Sequence, residues 1–190
     1  MITFADPAHA ARARTLRLHG ISRTSFERDP QGGDDWRYEV IEEGVKGNLP
    51  DILAALGIVQ LGRVDAFHAR RAAIADAYDA AFADLPLRLP PRAPAGDLHA
   101  HHIYALRLAP TAPIERNRLV AGLAAAGIRT SMHFVPLHRQ PHWRDRLGLD
   151  AAAFPVADDA WRSSISLPIF PGLADDELAR VIAAVARLLT

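Results

Sequence analysis

The spacing of apolar positions changes character midway between residues 44 and 82. Residues 52–61 are apolar almost all round, apart from Gln60, as in a helix sunk in a core. After that the pattern becomes a stripe. Val64, Phe67, Ile74, Tyr78 and Phe82 recur at helical spacing, while Arg63, Arg70, Arg71, Asp76 and Asp79 take the other side. Pro50 and Asp51 mark the start, because proline lacks a donor the first turn cannot use and aspartate favours its positive end. Proline also pushes Leu49 out of the helical region, leaving Asn48 just outside the helix with its amide free. The pattern predicts one long helix, bent near Gly57 or Gly62, that leaves one domain and becomes the face of another.

The rest of the chain is punctuated more closely. Residues 1–4 form a short apolar run that reads as a strand whose beginning is missing. Asp6-Pro7 opens a helix to Leu18, with His19-Gly20 at its exit. Residues 21–46 are polar and glycine-bearing, and a loop of that length in a compact domain is usually functional or disordered. Four prolines (86, 90, 91 and 94) make residues 85–96 an extended connector. Strands are expected at 102–108, 128–135 and 164–167, and a helix at 113–126 closed by Gly127. Short helical pieces at 141–162 surround Trp143 and Trp161. The last helix, 175–189, aligns Leu178, Val181, Ile182, Val185 and Leu189. Strands with helices on one face predict a small α+β layer.

Composition narrows the function classes. The 190 residues are 49% hydrophobic, enough for one sizeable core or two small domains sharing a helix. Basic and acidic residues balance at 22 each, which gives no electrostatic case for nucleic acid or an anionic membrane. With no cysteine, disulfides and thiolate metal sites are excluded. No leader opens the chain, and no run approaches the roughly 18 apolar residues of a membrane span, so a cytoplasmic protein is expected. Lys46 is the only lysine.

The string G-V-K-G-N-L-P-D-I-x-A-A-L-G-I-V-Q-L at 44–61 is followed by R-R-A-A-I-A-x-x-Y at 70–78. Together with L-R-L-H-G (16–20), G-I-R-T-S-M-H-F (127–134) and S-L-P-I-F-P (166–171), it resembles the DegT/StrS family of sugar aminotransferases. The K-x-N-L-P-D form is similar to the branch making 4-amino-4-deoxy-L-arabinose nucleotides. The resemblance implies an α/β fold, the C-terminal portion of the fold-type-I, aspartate-aminotransferase-like architecture. Residues 1–62 would be a remnant of the large domain that binds pyridoxal 5'-phosphate (PLP), with the start of the connecting helix. Residues 63–190 would be the small C-terminal α+β domain. It further implies a homodimer with shared active sites, a keto-sugar nucleotide as substrate and an amino-acid donor, expected to be glutamate.

By the same resemblance, the Schiff-base lysine and the acid holding the pyridinium nitrogen lie before residue 1, and Lys46 is not the catalytic lysine. No catalytic residue is therefore expected within the chain. Lys46 and Asn48 match the position from which relatives with an N-x-R form reach across the dimer to the partner's cofactor phosphate. A cation or an amide can fill that role; the alternative is a solvated lysine and an asparagine that merely ends the loop. His133 matches a histidine lining the sugar-nucleotide site, although a lone histidine on an apolar strand is more often a core residue. His19 and Arg23 open a loop like one beside the family's active site, or else are a helix cap and a surface arginine. The S-L-P-I-F-P segment reads as scaffold.

The remaining chemistry reads as structural. His99, His101, His102, His133, His138 and His142 invite a metal, but Pro141 breaks the helix between the helix-spaced His138 and His142, and no carboxylate completes a triad. Asp158-Asp159 and Asp175-Asp176 read as caps or solvated pairs. Two alternatives stand beside the aminotransferase: a sugar dehydratase of the same family, and a non-catalytic dimerisation or interaction fragment.

Overall fold

The computed structural model describes residues 2–22 and 38–190, and the chain divides into two compact units, Met1–Gly62 and Arg63–Thr190. In the first unit, helix α1 (Pro7–Leu16) begins where Asp6 accepts the Ala8 N–H at 2.8 Å, with Pro7 in the first turn. Residues 2–4 do not form the expected strand. No described segment pairs with them, and Ile2 stays exposed.

Helix α2 (Asp51–Leu61) starts at Pro50 and stops at Gly62, and α3 (Val64–Phe82) starts afresh after Arg63. The single long helix of the sequence pattern is therefore two, divided at Gly62, while Gly57 stays helical. The expectation that residues 52–61 are sunk in a core is not met within this chain. Ile52, Leu53, Leu56, Ile58, Val59 and Leu61 are each more than half exposed. A contiguous apolar face of this kind promotes association. The 190-residue chain should therefore self-associate at rising concentration in light scattering, and Ile52→Gln with Ile58→Gln should shift it toward monomer. A wild-type chain that stays monodisperse and monomeric would contradict this.

The second unit builds its core on a three-stranded antiparallel sheet ordered β1 (Leu87–Arg88), β2 (Tyr104–Leu108), β3 (Ser164–Leu167). Tyr104 faces Leu167 and Leu106 faces Ile165 across the central pair. Against the sheet pack α3, α4 (Arg116–Ala125) and α7 (Asp175–Leu189), which contribute Ile74, Tyr78, Phe82, Leu119, Leu123, Val181 and Val185. The α3 stripe enters the core only from Ile74 onward. Val64 is exposed, and Phe67 sits under the Arg63 guanidinium at 4.7 Å. Two buried polar tips find partners: Tyr78 donates to the Pro168 carbonyl at 2.8 Å and Tyr104 to Asp79 at 2.5 Å. Burial pushes both phenols well above their ordinary range, so they remain neutral donors. The strand expected at 128–135 shrinks to one bridge, Ser131 with Ser166, since no other residue of the run finds a partner on β3. Among the described residues, no single helix is long and apolar enough to cross a membrane.

Between α4 and β3 the chain runs through a turn at Leu137–Arg139, then α5 (Pro141–Leu147), a turn at Ala151–Ala153 and α6 (Pro155–Ser163). Asp158 ties these pieces together and is not the solvated residue the sequence suggests. It accepts two hydrogen bonds from Arg139, one of them at 2.6 Å, and lies 2.9 Å from buried His138 and 3.5 Å from Arg162. The Arg139 hydrogen bonds, then the His138 contact, hold its carboxyl far below the usual range. Because the folded pKa is depressed, the tie is complete above the unfolded value of about 4 and is lost only as pH falls through the lower folded one. Asp158→Asn should lower the melting temperature at pH 7, by an amount that shrinks progressively in strong acid. A difference independent of pH would contradict this.

Candidate functional site

Four of the five expected binding residues lie among the described residues, and three of them share the first unit. After α1 the chain passes through His19 and Gly20, both with positive φ (59° and 70°). Gly20 donates to the Thr15 carbonyl at 3.1 Å, closing the helix exit. The segment around 38–47 then returns antiparallel beside 18–22. Ser22 donates to Glu39 at 2.8 Å, Ile41 to Gly20 at 2.9 Å, His19 to Val45 at 3.1 Å and Gly47 to Arg17 at 2.7 Å. Leu18 bridges Lys46 and Ile21 bridges Val40. Arg12 on α1 clamps the returning arm through Glu42 at 2.7 Å.

Two glycines permit this close approach. A Cβ on Gly20 would stand 1.7 Å from the Glu42 carbonyl oxygen, and one on Gly44 would stand 2.3 Å from the Gly20 nitrogen. The glycines of L-R-L-H-G and G-V-K-G-N thus lock one motif onto the other. Lys46 and Asn48 are consequently presented on a fixed backbone, beside His19 along the ladder. All three side chains are exposed, and among the described residues none has an ionic or side-chain hydrogen-bond partner. A cation and an amide held in this way suit an oxyanion ligand. Arg23 lies outside the described residues.

His133 belongs to the second unit. Its Nδ1 lies 2.8 Å from the Ser166 hydroxyl, and its ring meets Phe134 edge-on at 4.8 Å. Ser166 is buried and exchanges both backbone hydrogen bonds with Ser131 (2.8 and 3.1 Å). The strand read as scaffold therefore also sets the orientation of this imidazole. His133 is exposed, not a core residue, and its Nε2 has no partner among the described residues. Several other histidines have structural contacts. His138 stacks on Phe154 at 4.7 Å, and His68 and His99 hold the connector, with His68 Nε2 2.8 Å from the His99 carbonyl.

Sequence reasoning missed Arg116, a buried arginine at the start of α4, and Trp161, which lies beneath two guanidiniums. The available signal was an arginine in the first helical turn, where a cation opposes the helix dipole and needs some other reason to be there.

Residues 1–186 match the DegT/DnrJ/EryC1/StrS aminotransferase family. The spore coat polysaccharide biosynthesis protein SpsC of Bacillus subtilis is 36% identical over 187 residues, covering 97% of this chain and 48% of its own length. Among solved structures, the putative sugar aminotransferase Spr1654 of Streptococcus pneumoniae in its PMP form superposes with a TM-score of 0.84 at 29% identity, over 97% of this chain and 46% of that one. DesV of S. venezuelae, solved in complex with a ketimine intermediate, gives 0.79 at 30% identity, over 97% and 45%. The chain spans about half the length of the curated relatives it matches.

Proposed function

Because the chain belongs to the DegT/DnrJ/EryC1/StrS aminotransferase family and has its fold-type-I architecture, we propose that the protein carrying it is a PLP-dependent sugar aminotransferase. It transfers an amino group, with glutamate as donor, to a keto-sugar nucleotide for polysaccharide assembly in the cytoplasm. The observation that carries this reading is the glycine-locked ladder holding Lys46 and Asn48 as uncommitted donors. On this reading residues 1–62 are part of the large cofactor-binding domain, and the protein works as a homodimer.

The donor set fits the phosphate end of the cofactor. The Lys46 ammonium neutralises phosphate charge and the Asn48 amide adds a neutral hydrogen bond, from a backbone that costs little further ordering on binding. When bound, PLP supplies the electron sink that lets the amino group leave its donor. His133, oriented by Ser166, offers Nε2 to a hydroxyl or phosphate of the sugar nucleotide. His19 would serve the same substrate from the ladder beside Lys46. On this reading the lysine that binds the cofactor covalently is not Lys46, whose role is to hold the phosphate.

Two measurements test the proposal. The whole protein, given PLP, glutamate and a keto-sugar nucleotide, should form the amino sugar and 2-oxoglutarate. The 190-residue chain alone should show no specific visible absorbance with PLP and no transaminase activity. A stoichiometric band in the chain alone that disappears in Lys46→Ala would make Lys46 the covalent residue and overturn this assignment.

A further inference from the structure

A second site lies wholly within the second unit. A cleft of about 730 Å³ opens where the chain leaving β2 meets the start of α4 and the end of α6, with Arg88, Arg116, Asn117, Arg139, Trp161 and Arg162 in its lining. We propose that this cleft binds a phosphate-bearing small molecule, with Arg116 and Arg88 as its principal charge partners.

Arg116 carries the argument. It is nine-tenths buried, it has no carboxylate partner among the described residues, and its Nε is enclosed without an acceptor. Among the described residues its Nη1 meets only the Met132 thioether, a weak acceptor. A buried cation without a counter-charge is costly, and burial pulls its pKa down. An anion in the cleft would supply the missing partner. Trp161 repeats the pattern: its indole N–H is buried and unpaired, while its ring lies 5.9 Å from the Arg116 guanidinium and 4.8 Å from that of Arg139.

The surrounding charges favour the same occupant. Among the described residues, Arg88 is exposed and has no ionic partner, and Arg162 has only a 3.5 Å contact with Asp158. Helix α4 opens at Glu115 without a side-chain cap, so its first N–H groups also face an anion favourably. Arg139 is committed to Asp158 and serves as a wall against Trp161. Of the two lining carboxylates, Asp159 is neutralised by Arg107, and Glu115 alone opposes an anion. The volume suits a small organic ligand. None of its lining residues belongs to the unit that carries Lys46 and Asn48.

The test is calorimetric titration of pyrophosphate, and separately of uridine diphosphate, into the whole protein saturated with PLP. A saturable site that depends on Arg88 and Arg116 is expected for each. Arg88→Ala should weaken binding roughly tenfold, as loss of one charge-assisted hydrogen bond implies. Arg116→Lys, which keeps the charge and loses the planar fork, should also weaken it, and Glu115→Gln should tighten it. Tighter binding of the nucleotide would place its base against Trp161, whereas equal affinities would confine recognition to the phosphates; both support the site. No saturable binding, or binding unchanged in both arginine variants, would overturn it. So would binding abolished by Lys46→Ala, which would assign the anion to the other site.

Discussion

Gly20→Ala is expected to unlock the ladder that presents Lys46, whereas Gly57→Ala should be neutral or stabilising. The two glycines sit in the same unit under opposite constraints. At Gly20 φ is +70°, a region that costs an L-residue about 1–2 kcal/mol. The added Cβ would also lie 1.7 Å from the Glu42 carbonyl oxygen, a backbone atom that cannot move aside as a flexible side-chain tip could. The returning arm must therefore separate from residues 18–22, losing the Ile41 and His19 hydrogen bonds and displacing Lys46. At Gly57, inside α2, a Cβ meets nothing within 4 Å. Alanine there gains roughly 0.5–1 kcal/mol of helix propensity. In the whole enzyme Gly20→Ala should lose PLP on dialysis while Gly57→Ala retains it. Equal retention would show that the ladder does not position the cofactor donors.

The division between what the sequence shows and what it hides follows from the range of each interaction. Helix α7 and strand β3 emerge at their expected residues because their burial is periodic and local: Leu178, Val181, Val185 and Leu189 on one helix face, Ile165 to Leu167 against the core. Strand β1 was hidden by its flanking prolines. As a two-residue edge strand it needs few ladder donors, and the Pro86 carbonyl still accepts from Ala109 at 2.8 Å. The break at Gly62 was foreseen only as a bend, since apolar residues on both sides continue the helical signal. The site divides in the same way. Lys46 and Asn48 are visible as residues beside Pro50, but the ladder that places them beside His19 depends on residues far apart in sequence, such as Leu18 and Lys46. The Asp158 tie and the enclosure of Arg116 are likewise tertiary, and local spacing carries no trace of them.

Removing Lys46 or Asn48 should weaken PLP binding in the whole enzyme roughly tenfold or more, because each hydrogen bond to a charged group is worth about 1.5–3 kcal/mol. Both side chains are exposed and make no side-chain hydrogen bond or ion pair among the described residues, so the melting temperature without PLP should hardly change. Lys46→Arg should recover much of the loss, since it keeps the charge on the same backbone position. An alanine variant with unchanged PLP affinity would reduce Lys46 to a solvated loop residue.

The most direct test asks whose cofactor these donors hold. Mixed dimers are formed between a Lys46→Ala subunit and a subunit lacking the catalytic lysine, and their formation is verified by tagged purification. If Lys46 reaches the partner's phosphate, one site of the heterodimer collects both defects and the other collects none. At a PLP concentration that fills the wild-type site and leaves the Lys46→Ala site largely empty, activity should then return to about half of the wild-type level, by simple counting of sites. If Lys46 serves its own subunit, each site carries one defect and no recovery appears. Verified heterodimers that stay inactive would contradict the shared site.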